Sequence, residues 1–289
     1  MEKRGSTLVN SQMTGHMTAI RLPGWEDKGE KCPIHYYEAG EGTPLLLLHS
    51  IGQSLYTWRE LLPLLSRRFR VIAVDLPGFG FSGRPVSCDY TMEEMGRSIL
   101  LFMDAIGLKA CHAMAASLGC GYLLAAVEKA PQRFGKLTLL CPGEITEHMP
   151  KRVRQMAAPL IGPLFRELYG LRYYSRELRT AYYDATACTP RVCREYYKTS
   201  DSYASRQSIM YCLRNYDLEA VAGELSKLEH RIFVLWGEMD RWQPIKYIRW
   251  WKKHIQNGYY FSLRNAGHFF WEEKAEQTAE AVEKFIRYE

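Results

Sequence analysis

No apolar run in this chain of 289 residues approaches the ~20 residues that a bilayer-spanning helix needs, so a membrane span is not expected. Nor is there a cleavable apolar segment at the start, which leads to the expectation of a reducing, cytoplasmic setting. Eight cysteines occur, yet none forms a CxxC pair or stands at a zinc-ligand spacing with histidine, so neither a metal nor a dithiol redox site is expected. Several lie inside apolar runs, where Cys acts as a small hydrophobe. Long basic blocks are missing too. The net charge of +6 is modest and spread out, which argues against a nucleic-acid partner. Internal repeats and low-complexity tracts are also lacking, and with them the solenoid and linker classes.

What remains is ordinary in amount and informative in order. Hydrophobic residues make up 47% and charged residues 24%, enough for a full core. Residues 1–16 are polar and aperiodic, a loosely held leader. Strand-like runs follow near Thr18–Leu22 and Ile34–Glu38, then the continuous apolar run Pro44–Leu48 before His49. Helix and strand then alternate: a helix near Leu55–Ser66, strand Arg70–Val74, a helix near Met92–Ile106 with a Thr91/Glu94 capping box, and strand Lys109–Met114. The helix Leu118–Lys129 and strand Lys136–Cys141 follow. Short alternation of this kind predicts a parallel sheet covered on both faces.

The alternation stops between 144 and 227. That segment is helix-like and holds, from Lys151 to Lys227, 10 Tyr, 10 Arg, 3 Lys and 8 Asp or Glu. Strands return at Arg231–Trp236 and Tyr259–Leu263, with helices near Pro244–His254 and Trp271–Tyr288. A helical insertion before the last strands reads as a cap over the sheet edge where ligands bind. This gives a core domain of 1–143 and 228–289 and a cap of 144–227. The Tyr and Arg of the cap suit an aromatic or anionic small-molecule substrate, or else simple packing and solvation.

One serine stands out. In Ala115-Ala116-Ser117-Leu118-Gly119 small residues occupy the positions two before and two after Ser117. A sharp strand-to-helix turn needs small side chains there, because the backbones crowd, and it pushes its apex side chain outward. A tight turn into a packed helix would read the same way. The rest of the chain supplies candidate partners. Asp240 follows strand Ile232–Trp236 and His268 follows strand Tyr259–Leu263, so both should stand at the same sheet edge as Ser117. Either could instead be an ordinary loop residue, Asp240 capping a helix. Glu144, after the sixth strand, is the alternative acid. His112, within the strand before the turn, reads as a packed strand histidine, and Trp242 as a packing residue.

The chemistry needs this set. A serine hydroxyl is a poor nucleophile until an imidazole takes its proton, and a carboxylate must fix the imidazole tautomer. The oxyanion formed on attack needs backbone donors. Leu118 N–H at the helix start and Ile51 N–H in the loop after His49 are the candidates.

With these motifs together the sequence resembles the α/β-hydrolase family from about residue 17 onward. The resemblance rests on the His49-Ser-Ile-Gly loop, Asp75-Leu-Pro-Gly-Phe-Gly-Phe-Ser, the Ser117 turn, Gly-Glu-Met-Asp240 and Asn-Ala-Gly-His268. It implies a mostly parallel eight-stranded sheet flanked by helices, with a helical cap inserted after strand 6. It further implies Ser117 as nucleophile, Asp240 as acid and His268 as base, with no cofactor. Two positions depart from the pattern. Ala115 replaces the usual first Gly of the turn, and Ser50 stands where the family has Gly, reshaping the oxyanion loop or adding a hydrogen bond to substrate. Relatives that open epoxides or remove halide carry Asp at the turn, so Ser117 points elsewhere. The expected activity is hydrolysis of a small or medium carboxylic ester, or a related acyl compound, through an acyl-enzyme on Ser117. Carbon–carbon bond hydrolysis or a biosynthetic tailoring step, and ligand binding with little turnover, are the alternatives.

Overall fold

The computed structural model describes residues 15–21, 31–85, 88–143, 151–158, 160–168, 170–219, 223 and 225–288. Glu144 lies outside the described residues, as do most of the leader and the end of the first expected strand. Eight strands form one sheet: β1 (His16–Ile20), β2 (Cys32–Ala39), β3 (Pro44–Leu48), β4 (Arg70–Val74), β5 (Cys111–Ala116), β6 (Phe134–Leu140), β7 (Ile232–Gly237) and β8 (Gly258–Leu263). Their spatial order is β1-β2-β4-β3-β5-β6-β7-β8. The pairs made by β2 with β1 and β4 are antiparallel and all others are parallel. This is the α/β-hydrolase fold with its eight-stranded, mostly parallel sheet.

The apolar runs become the central strands for a simple reason. A parallel strand covered on both faces has no solvent side, so it cannot alternate polar and apolar residues. Leu45 to Leu48 and Ile232, Val234, Leu235 and Trp236 are accordingly buried. Each such side chain contributes about 1.5–3 kcal/mol by leaving water. Helices α1 (Leu62–Leu65), α2 (Met92–Ala105) and α3 (Gly119–Lys129) connect the first strands. The Thr91/Glu94 capping box is formed at the start of α2. Between β6 and β7 lie α4 (Lys151–Ala157), α5 (Gly162–Glu167), α6 (Leu171–Thr180), α7 (Pro190–Lys198) and α8 (Tyr203–Asn215). The chain ends in α9 (Ile248–His254), α10 (Phe270–Glu273) and α11 (Ala275–Tyr288).

Three expected helices are interrupted. Leu55–Ser66 splits into a 3-10 turn, Leu55–Trp58, and the short α1. Pro63 has no N–H for an intrahelical bond, so it is tolerated only in the first turn of a new helix. Pro244–His254 likewise begins as a 3-10 turn, Ile245–Tyr247. The last helix breaks at Lys274, whose φ of −130° lies outside the helical range.

The register matters for function. Ala116 pairs with Leu140, Leu140 with Leu235, and Gly237 with Leu263. The C-terminal ends of β5, β6, β7 and β8 are therefore level. Whatever follows them is presented at one edge, beneath the inserted helices.

Candidate active site

Ser117 follows the last residue of β5 with φ +51°, in the left-handed region that a residue with a Cβ rarely adopts. The surroundings over-determine the strain. Ser117 N–H donates to Leu140 O at 2.8 Å, and its carbonyl accepts from Cys120 N–H at 3.0 Å. Gly119 must lack a side chain, since a Cβ there would stand 2.3 Å from the His49 carbonyl oxygen. The turn thus locks the Ser117 strand end against the loop after β3.

Asp240 and His268 meet across two loops. The Asp240 Oδ2 to His268 Nδ1 distance is 2.7 Å. Asp240 Oδ1 accepts from Trp242 N–H and Gln243 N–H, both at 2.8 Å, so the carboxylate cannot swing. With Nδ1 donating to a carboxylate, Nε2 is the ring nitrogen left to face the cavity that Ser117 also lines. Gly237 allows this approach, because a Cβ there would meet Gly267 O at 2.1 Å. The imidazole is wedged among aromatic rings: Trp242 at 5.3 Å, Phe269 at 5.5 Å and Trp271 at 5.9 Å.

Cys141, with φ +35°, puts its thiol 3.5 Å from His268 Nδ1. Burial, reinforced by the Asp240 charge, pushes the thiol well above its ordinary value and keeps it protonated. Its donor atom and those of Asp240 and His268 lie within 4.8 Å of one another, as metal ligands would. The hydrogen bond between Asp240 and His268 already accounts for that closeness.

Ser50, Ile51 and Leu118 lie beside Ser117 on the cavity wall. His49 organises this loop. Its Nδ1–H donates to Ser50 O at 2.7 Å, and its Nε2 accepts Leu76 N–H at 3.0 Å, a pair of roles that fits a neutral ring. Burial lowers the His49 pKa, against the opposing pull of Asp75 and the Ser50 carbonyl. Leu118 N–H donates to Ser50 Oγ at 3.2 Å.

The cavity itself is small, about 60 Å³. Its apolar wall includes Ile51, Leu118, Leu178, Ile209, Leu213 and Phe269. Among the described residues of this wall there is no Lys or Arg, and Glu177 on α6 is the one carboxylate. Of the two roles open to the arginines of the insertion, lining a pocket or lying at the surface and in packing, none of those described takes the first at this wall. Arg214 donates to Ala157 O and Ala158 O, and Arg84 of the core to Gly80 O and Ser205 Oγ.

His112 stays away from the site and accepts Lys136 N–H on the β5–β6 pair, as a strand histidine should. Trp242 does not merely pack around the last strands: it lines the cavity. Its position two residues after Asp240 was the available signal. Glu177 and Cys141 carried none, the first being one acid in a charged helix and the second one Cys ending an apolar run.

The insertion also grips the histidine loop. His268 N–H donates to Ala181 O at 2.6 Å, and Gly267 has no room for a Cβ against residues 181–183. Beside this contact, buried Glu272 accepts from Arg59 Nη2 at 2.6 Å and from the hydroxyls of Tyr182 and Tyr196.

Comparison with known proteins adds to this geometry. A family described as the alpha/beta hydrolase fold matches residues 43–275. A 2-hydroxy-6-oxo-6-phenylhexa-2,4-dienoate hydrolase of Comamonas testosteroni is 26% identical over 274 residues, which cover 88% of this chain and 91% of that protein. Among solved structures, the hydrolase of the same name from Rhodococcus sp. strain RHA1 superposes with a TM-score of 0.76 at 22% identity, covering 95% of this chain and all of that one. A thermophilic esterase from Thermogutta terrifontis gives 0.77 at 21% identity, over 94% of this chain and 98% of its own. These structural likenesses speak to fold.

Proposed function

This chain belongs to the alpha/beta hydrolase fold family, and from that premise we propose that it is a serine hydrolase that breaks a bond to the carbonyl carbon of a small, mainly apolar substrate. The observation that carries the reading is the 2.7 Å bond between Asp240 and His268, level with Ser117 at a strained strand end. In this reading His268 takes the Ser117 proton, Ser117 attacks the carbonyl, and the acyl group stays on its oxygen. Asp240 holds the imidazole and stabilises it once charged. His268 then protonates the leaving group and later activates the water that frees the acid. Ile51 and Leu118 bound the place where the oxyanion forms.

A carboxylic ester is the first bond class, because its alkoxide leaves with one proton from His268 and asks nothing more of the site. The described wall favours a neutral substrate: it holds no Lys or Arg to pair with a substrate carboxylate, and its one carboxylate, Glu177, already has Arg176 at 3.3 Å. Carbon–carbon bond hydrolysis is the second reading, favoured by relatives whose names describe oxo-dienoate hydrolases. That bond breaks only when a conjugated system delocalises the departing electron pair. The described helices between β6 and β7 act as a cap in both cases. A cavity of about 60 Å³ is well below the roughly 300–1,000 Å³ of drug-sized ligand sites, so larger substrates require these helices to shift.

The test is a substrate panel with a nucleophile control. p-Nitrophenyl acetate and butyrate should be turned over by the wild type and not by Ser117→Ala, and a fluorophosphonate probe should label only the former. Turnover of 2-hydroxy-6-oxo-dienoates above that of the esters would select the second reading. Ser117→Ala with unchanged hydrolysis would overturn both.

A further inference from the structure

We propose that the Ser50 side-chain hydroxyl is itself an oxyanion donor, standing between Leu118 N–H and the reacting carbonyl oxygen. The inference rests on the serine-hydrolase reading and extends it to a group where the family pattern carries no side chain.

The backbone around Ser50 is fixed from three sides. Its carbonyl accepts from His49 Nδ1 at 2.7 Å and from Gln53 N–H at 3.2 Å, and its N–H donates to Gln53 Oε1 at 3.3 Å. Ser50 is 4% exposed and lies on the same cavity wall as Ser117. A hydroxyl has one proton to donate and two lone pairs to accept with. Ser50 Oγ uses one lone pair for Leu118 N–H, at 3.2 Å. Among the described residues its proton meets no acceptor, and the cavity is where that proton can point.

This arrangement changes what the oxyanion meets. Leu118 N–H is already engaged, so the backbone alone would leave Ile51 N–H as the available donor, in a wall that is otherwise apolar. A hydroxyl that accepts from an N–H becomes a better donor, because the two bonds polarise each other. The N–H in question opens α3, a helix of 11 residues, so the positive end of that helix acts through the Ser50 oxygen. During attack, the carbonyl oxygen gathers negative charge and receives the Ser50 O–H together with Ile51 N–H. The proton remains on Ser50 Oγ throughout; it is shared by hydrogen bonding and not transferred.

Two variants test it, each assayed on p-nitrophenyl butyrate and titrated with a trifluoromethyl ketone and with the matching methyl ketone. The trifluoromethyl ketone forms a charged adduct with the nucleophile, whereas the methyl ketone reports ground-state binding. Loss of one oxyanion donor typically lowers kcat by about 10²–10³-fold. Because Leu118 N–H becomes partly available, Ser50→Ala should lower kcat by about 10- to 100-fold with KM within about twofold. Trifluoromethyl ketone affinity should fall in parallel and methyl ketone affinity should hold. Ser50→Gly removes the Cβ as well and lets the oxyanion approach Leu118 N–H, so it should lose less than the Ala variant while staying below wild type. If Ser50→Gly equals or exceeds the wild type, the hydroxyl obstructs the site and the proposal is wrong. A loss confined to KM, or an unchanged trifluoromethyl ketone affinity, also overturns it. Failure of the underlying reading looks different: the wild type itself would resist fluorophosphonate, and Ser117→Ala would keep its activity.

Discussion

Replacing Glu272 by Ala should destabilise the protein and slow it together. The Glu272 side chain is 2% exposed and faces Arg59, 8% exposed, at 2.6 Å. Burial is the largest influence and alone would lower the Arg59 pKa, but the charge and hydrogen bond of Glu272, together with Tyr196 and Tyr182, outweigh it and raise it well above the ordinary value. Arg59 also lies over the Tyr56 ring at 4.5 Å, so it has no easy route to water. Removing one partner of a buried pair typically costs about 3–5 kcal/mol, and the half-exposed Glu60 carboxylate that Arg59 Nε keeps at 3.4 Å makes up little of the loss, because solvent screens it. Tyr182 loses its acceptor as well, while Tyr196 keeps Thr57 at 2.8 Å. A loss of about 4 kcal/mol, set against an unfolding entropy of roughly 0.6 kcal/mol/K for a chain of this length, lowers Tm by about 7 °C. Calorimetry and urea unfolding measure it. Because Tyr182 adjoins Ala181, the acceptor of His268 N–H, kcat at 25 °C should drop too. The double variant Arg59→Met/Glu272→Leu removes both charges and should recover about 2 kcal/mol relative to Glu272→Ala. A single-variant loss below about 1 kcal/mol, or a double variant less stable than Glu272→Ala, would refute the reasoning.

Asp240→Asn keeps the shape of the acid but presents an amide to His268 Nδ1, which favours the wrong tautomer; kcat should fall about 10⁴-fold, and a fall under tenfold would move the acid elsewhere. Stability should also decline in mild acid. The folded pKa of His49 is depressed below 6.5, so the unfolded chain binds a proton that the folded chain refuses. The stability this gives is complete above about pH 6.5 and is lost progressively below it, by at most about 1.4 kcal/mol per pH unit. Urea midpoints at pH 7.5 and 5.5 check the sign; a higher midpoint at pH 5.5 would contradict it.

The sheet was legible because its signal is local. Apolar runs such as Leu45–Leu48 and Ile232–Trp236 can only be doubly covered strands, and their alternation with helices leaves few topologies. The Asp240–His268 pair was approachable for the same reason: a residue after a parallel strand is delivered to a known edge. Helix continuity was less legible, since Pro63 and Lys274 act on backbone geometry that apolar spacing does not register.

The chain by itself determined the fold class, the strand ends that carry Ser117, Asp240 and His268, and the loop that carries Ser50, all through short-range pattern. Tertiary structure alone decided what those side chains meet. It engaged Leu118 N–H with Ser50 Oγ, set the Cys141 thiol beside His268, turned Glu177 toward the cavity and tied His268 N–H to Ala181. Each of these contacts joins segments far apart in the chain. Its existence depends on packing distances of a few ångströms, which no spacing of residue types can encode.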